Sequence, residues 1–124
     1  MQAGDLLAGL TIVCIADDIA GIEPLVHDLR AAGAVVVVVR TAAVALAFSD
    51  RYPVHVILVD LRGPDWWLTP EIRALRSLSR APVYALTEPD ETIDPTAELA
   101  GHFVKPVSVE AAVATLSTVR RRSR

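Results

Sequence analysis

A chain of 124 residues with a net charge of −3 has room for one domain, residues 1–124, and at this size it buries roughly two-thirds of its unfolded surface. Its 52% hydrophobic content suits a sheet covered on both faces, yet no apolar run approaches the roughly 18 residues of a membrane span, and Met1-Gln2-Ala3-Gly4-Asp5 lacks the basic segment of a signal peptide. The acidic balance argues against nucleic acid as a partner, and Cys14, alone in an apolar stretch, reads as the buried reduced thiol of a cytoplasmic protein.

Along the chain, strand and helix signals alternate. Thr11–Ala16 is continuously apolar and β-rich, as in a parallel strand buried on both faces. Ile22, Leu25, Val26, Leu29 and Ala32 then recur at helical spacing, with Pro24 expected in the first turn and Gly33 as the stop. Val35–Val39 is the second strand, and Thr41 caps a helix expected over 41–47. Residues 54–59 form the third strand, closed by Asp60. Thr69-Pro70-Glu71 supplies a cap, a proline at the first helical position and an early acid for a helix with Ile72, Leu75 and Leu78 on its apolar face.

Residues 83–86 are the fourth strand, followed by Thr87. Pro89, Pro95 and the acids between Glu88 and Gly101 leave only a short helix at 96–100, so the fourth helix is reduced. Residues 102–104 are the fifth strand, and Ser108 caps a last helix that turns Val109, Ala112, Val113 and Leu116 inward. The pattern is α/β, a doubly wound (βα)5 unit with a five-stranded parallel sheet and helices on both faces. The arginines from Arg120 to Arg124 read as a solvated helix end, and Trp66-Trp67 as half-buried loop cover.

The chemistry-bearing residues close the strands. Asp17-Asp18 follow the first, Asp60 the third, Thr87 the fourth, and Lys105, the one lysine beside eleven arginines, the fifth. In an open parallel sheet ligands bind outside the carboxyl ends of the strands, so these residues converge on one rim. Acids at strand ends also cap helices, so each residue alone carries little weight; the set of five carries the functional reading.

In order and spacing these positions resemble the receiver domain of bacterial two-component response regulators, over nearly the whole chain. The resemblance implies strand order 2-1-3-4-5 and a flavodoxin-like, CheY-like fold. It implies Asp60 as phosphoacceptor, Mg2+ at Asp17, Asp18, Asp60 and the Arg62 carbonyl, and Thr87 and Lys105 on the phosphoryl oxygens. Thr87 and His102, the latter where the family commonly has an aromatic residue, are the switch positions. The implied partners are a histidine kinase or phosphotransfer protein, a downstream protein target and, as a further option, a second copy of the chain. Glu88 departs from the small residue usual after the switch hydroxyl, and Leu68 from the usual glycine.

The reading is thus a stand-alone phosphorylation-dependent switch rather than an enzyme, limited at most to self-phosphorylation from small donors and self-dephosphorylation. One alternative is a pseudo-receiver that binds partners without phosphorylation. Another is a small aspartate-based phosphohydrolase of the haloacid dehalogenase type, which needs a second aspartate where this chain has Arg62.

Overall fold

The computed structural model describes residues 6–62, 66–92 and 99–122. Elements follow in the order β1 (Thr11–Ala16), α1 (Ile19–Ala31), β2 (Val35–Val39), α2 (Ala42–Arg51), β3 (Val56–Asp60), a 3-10 turn (Trp66–Leu68), α3 (Pro70–Leu78), β4 (Val83–Thr87), β5 (Gly101–Val104) and α4 (Val109–Arg122). The five strands form one parallel sheet in the order β2-β1-β3-β4-β5. This is the doubly wound architecture expected from the alternation, with chain reversal between β1 and β3 opening a crevice at their carboxyl ends.

The central strands are largely apolar up to their carboxyl ends because both faces are covered. On one face Leu10, Ile12, Cys14, Leu29, Leu58 and Leu116 belong to a core closed by α1 and α4. On the other, Val13, Ile15, Ile57, Val59, Ile72 and Leu75 pack with α2 and α3. Each such side chain, fully withdrawn from water, contributes about 1.5–3 kcal/mol of transfer free energy. Cys14 lies in the first core, where burial pushes its thiol up to about 12, so it is held as an inert neutral group.

Local chemistry sets the boundaries, and several differ from the sequence expectation. Asp18 caps α1 by accepting from the Gly21 N–H at 3.2 Å, so the helix starts at Ile19 and Pro24 falls beyond the first turn. At the other end Gly33, at φ +104°, donates to the Arg30 carbonyl while Ala34 donates to that of Leu29. Those two bonds form the glycine-dependent stop anticipated for this helix.

The second helix, α2, expected through Ala47 and fading near Ser49-Asp50, runs to Arg51. Ser49 returns its hydroxyl to the Leu46 carbonyl at 2.8 Å, and the rings of Phe48 and Tyr52 meet at 4.8 Å. The third strand starts at Val56, two residues late, because the His55 ring replaces a backbone partner: Thr11 N–H donates to His55 Nδ1 at 2.9 Å. The fourth strand includes Thr87, and the fifth begins at Gly101.

Among the described residues no helix joins β4 to β5, consistent with a reduced fourth helix. The helix expected at 96–100 falls largely outside the described residues, and Leu99 and Ala100 are not helical. The tryptophans are more deeply placed than loop cover would be. Trp66 and Trp67 are buried, edge to face at 5.5 Å, within the core under α3.

Candidate functional site

Strand register brings the singled-out residues to one rim. Ala16 is paired with Asp60, which places Asp17 one step past the end of that pairing. Thr87 pairs with Val104, and Lys105 N–H donates to the Thr87 carbonyl at 2.8 Å. The lysine therefore leaves the sheet beside the end of β4, and the Lys105–Pro106 peptide is cis.

Asp60 ends β3 almost fully buried, and its Oδ1 accepts from Lys105 Nζ at 2.7 Å. A buried carboxylate needs such a partner, since an unpaired charge there costs several kcal/mol on the order estimated for desolvated ions. Burial by itself pulls the Lys105 ammonium down, but the hydrogen bond and charge of Asp60, followed by those of Glu88, outweigh it and hold the group above its ordinary value. A raised lysine stabilises the fold in full below its unfolded value of about 10.4, and that contribution is lost only as pH climbs through the higher folded value. The Lys105 ammonium is therefore charged at neutral pH.

Thr87 is 1% exposed, and its Oγ1 has no hydrogen-bond partner among the described residues. Buried hydroxyls are normally paired, so an orphan one at a rim of charged groups points to an acceptor that arrives from outside. Asp60, Arg62, Leu86, Glu88 and Lys105 line a cavity of about 350 Å³ at this same rim.

The acidic pair divides its duties. Asp17 Oδ2 accepts from the Arg62 N–H at 3.1 Å, tying the loop after β3 to the end of β1. Asp18 instead caps α1, and Gly21 makes room for it: a Cβ there would lie 2.9 Å from Asp18 Oδ2. Among the described residues no three acidic, histidine or cysteine side chains are grouped as a metal cluster. The donor chemistry nonetheless fits Mg2+, which is typically held by one or two carboxylates while keeping several waters. Asp17 and Asp60 are adjacent at the rim, joined by a 3.4 Å bond from the Asp17 N–H to the Asp60 carbonyl.

His102 is not brought to this rim. It is exposed on β5 and lines a separate cavity of about 690 Å³ with His55, Arg80, Tyr84, Thr115 and Thr118. Sequence alone leaves open whether Glu88 turns to the rim or to solvent; its Oε1 lies 3.3 Å from Lys105 Nζ. Its position after Thr87 was visible, but its direction depends on a turn in which Glu88 N–H donates to Glu91 Oε1 at 3.1 Å.

No family model matches the sequence. The sensory transduction protein RegX3 of Mycobacterium tuberculosis is 30% identical over 116 residues, a stretch that covers 90% of this chain and 51% of that protein. Its counterpart from Mycolicibacterium smegmatis is 29% identical over the same length. The chain thus spans about half the length of these relatives. Among solved structures, the chemotaxis protein CheY4 of Vibrio cholerae is 26% identical with a TM-score of 0.72, the match covering 90% of this chain and 99% of that one. The receiver domain of TorR, the response regulator of a TMAO respiratory system, shares the fold at a TM-score of 0.76 and 22% identity, over 91% of this chain and 98% of its own.

The chain is a response regulator receiver domain. Its sheet order and four described helices are those of the CheY-like fold, and receivers of this kind are signalling modules of two-component systems. No described helix is long and apolar enough to cross a membrane.

Proposed function

We propose that this receiver accepts a phosphoryl group on Asp60. The observation that carries the reading is the conjunction at one rim of a buried carboxylate paired with Lys105 and a buried, unpartnered Thr87 hydroxyl. A transferring phosphoryl group spreads negative charge over its equatorial oxygens. Lys105 offers a point charge for one of them and Thr87 a hydroxyl donor for another.

The histidine kinase or phosphotransfer protein of a two-component system is the proposed donor. An Asp60 carboxylate oxygen forms a bond to phosphorus as the P–N bond of a phosphohistidine breaks. The imidazole nitrogen leaves with the electron pair and takes up a proton. Lys105 moves from pairing a free carboxylate to pairing an acyl phosphate, and the Thr87 hydroxyl gains its missing acceptor. Output is proposed to pass by protein contact to a downstream target, from a cytoplasmic location.

Mg2+ is the proposed cofactor, with Asp17, Asp60 and the Arg62 carbonyl as its first protein ligands and Asp18 recruited on leaving Gly21. When bound it supplies positive charge to the phosphoryl oxygens and relieves repulsion among the acids. Tryptophan emission should change on titration with millimolar Mg2+, because the buried Trp66 stands four positions past Arg62 in the sequence. The double variant Asp17→Ala/Asp18→Ala should give a flat titration. A response unchanged in that variant would reject the site.

A pseudo-receiver is the second reading, favoured by the Glu88 carboxylate standing on Lys105. A hydrolase would need its second carboxylate where this chain has Arg62. Incubation with a small phosphodonor separates the three. An active receiver takes up one phosphoryl group per chain, a pseudo-receiver takes up none, and a hydrolase turns over generic phosphate esters.

A further inference from the structure

The residue after Thr87 places a negative charge on the ammonium that the phosphoryl group needs. Lys105 Nζ is 2.7 Å from Asp60 Oδ1 and 3.3 Å from Glu88 Oε1, so it bridges two carboxylates. The second contact is held by a small closed turn: Glu88 N–H donates to Glu91 Oε1 at 3.1 Å, and Glu91 N–H donates back to the Glu88 carbonyl at 3.0 Å. With its backbone held in this way, Glu88 lines the rim cavity together with Asp90 and Glu91.

We infer that Glu88 is a built-in competitor for Lys105. It satisfies the ammonium in the resting chain and has to surrender it when an anion arrives at Asp60. This rests on the phosphoacceptor reading of Asp60, which it deepens by assigning a regulatory residue to the same site.

Two consequences follow from the charges. Small anionic phosphodonors meet the carboxylates of Asp60, Glu88, Asp90 and Glu91 around one cavity, against only Lys105 and Arg62. Intrinsic labelling by such donors is therefore slow, and a protein donor that draws Glu88 aside is favoured. Once phosphoryl oxygen replaces Glu88 on Lys105, the 88–91 turn loses its side-chain tie to Lys105, so the signal leaves through that turn. Glu88 takes no part in bond making, because the P–O bond forms at Asp60.

The test compares the whole chain with Glu88→Gln, which keeps shape and removes charge, and with Glu88→Ala. Both variants should label at least tenfold faster with phosphoramidate at matched Mg2+. Independently, inorganic phosphate followed through the backbone amide signals of Thr87 and Lys105 should bind Glu88→Gln at least tenfold more tightly than the parent. Failure of any protein to label, with phosphate still tightened by Glu88→Gln, would remove the phosphoacceptor reading while upholding the competition. Equal phosphate affinity in parent and Glu88→Gln, or measurable labelling at equal rates in the two, would overturn the proposal.

Discussion

Asp60→Asn should reduce phosphoryl uptake to background while leaving the fold intact. The amide keeps the size of the side chain and an oxygen able to accept from Lys105, so the 2.7 Å contact has a neutral successor. It lacks the anionic oxygen that attacks phosphorus, and nucleophilic catalysis has no substitute for that atom. The loss is expected to be complete rather than graded, because Asp17 is exposed and Asp18 caps α1, and neither occupies the place beside Lys105 and Thr87. Circular dichroism and labelling measured on the same preparation separate lost chemistry from lost structure. Labelling retained in Asp60→Asn would move the acceptor to another residue.

The largest effect on stability is expected at Leu116. It is fully buried on α4 and packs in the core shared with Leu10, Ile12, Leu29 and Leu58. Truncation to alanine removes the transfer free energy and leaves a cavity that the sheet cannot collapse to fill. Such leucine-to-alanine changes cost about 2–5 kcal/mol, which for a domain of this size lowers Tm by on the order of 10 °C. Val44, 52% exposed on α2, is the control, and Val44→Ala should stay within about 0.5 kcal/mol of the parent. Thermal unfolding of the two variants checks the contrast; similar midpoints would mean that α4 does not close this core.

Much of this fold was legible because its strands are buried on both faces. Ile12–Ala16 and Val56–Val59 are apolar without interruption, and the first polar residue after each marks the rim by itself. Lys105 stood out as the one lysine, and register places it beside Thr87, as the strand-end pattern requires. What escaped the sequence depended on side-chain direction. Nothing in the spelling of His55 says that its ring will take the Thr11 N–H and delay β3. Asp18 is equally suited to a cap and to a cation, and its choice of Gly21 depends on the missing Cβ there. Trp66 and Trp67 lie in a segment rich in loop signals, yet tertiary packing under α3 overrides that local character.

Glu88 shows the same limit at the site. Its charge beside Thr87 was plain, but whether it faced solvent or Lys105 was decided by the turn with Glu91. The structure gives it both characters: the side chain is 53% exposed and still within 3.3 Å of the ammonium. An ion pair so open to water is worth little to stability, so its consequence is expected in the rate of anion arrival rather than in the melting temperature.

The central claim, that Asp60 is the phosphoacceptor, is tested most directly by mass spectrometry of the parent chain after incubation with Mg2+ and phosphoramidate. One added phosphoryl group per chain is expected, located on the peptide carrying Asp60 and removed by hydroxylamine as an acyl phosphate should be. A phosphoryl group mapped to a serine, threonine or histidine, or no uptake by either the parent or Glu88→Gln, would contradict it.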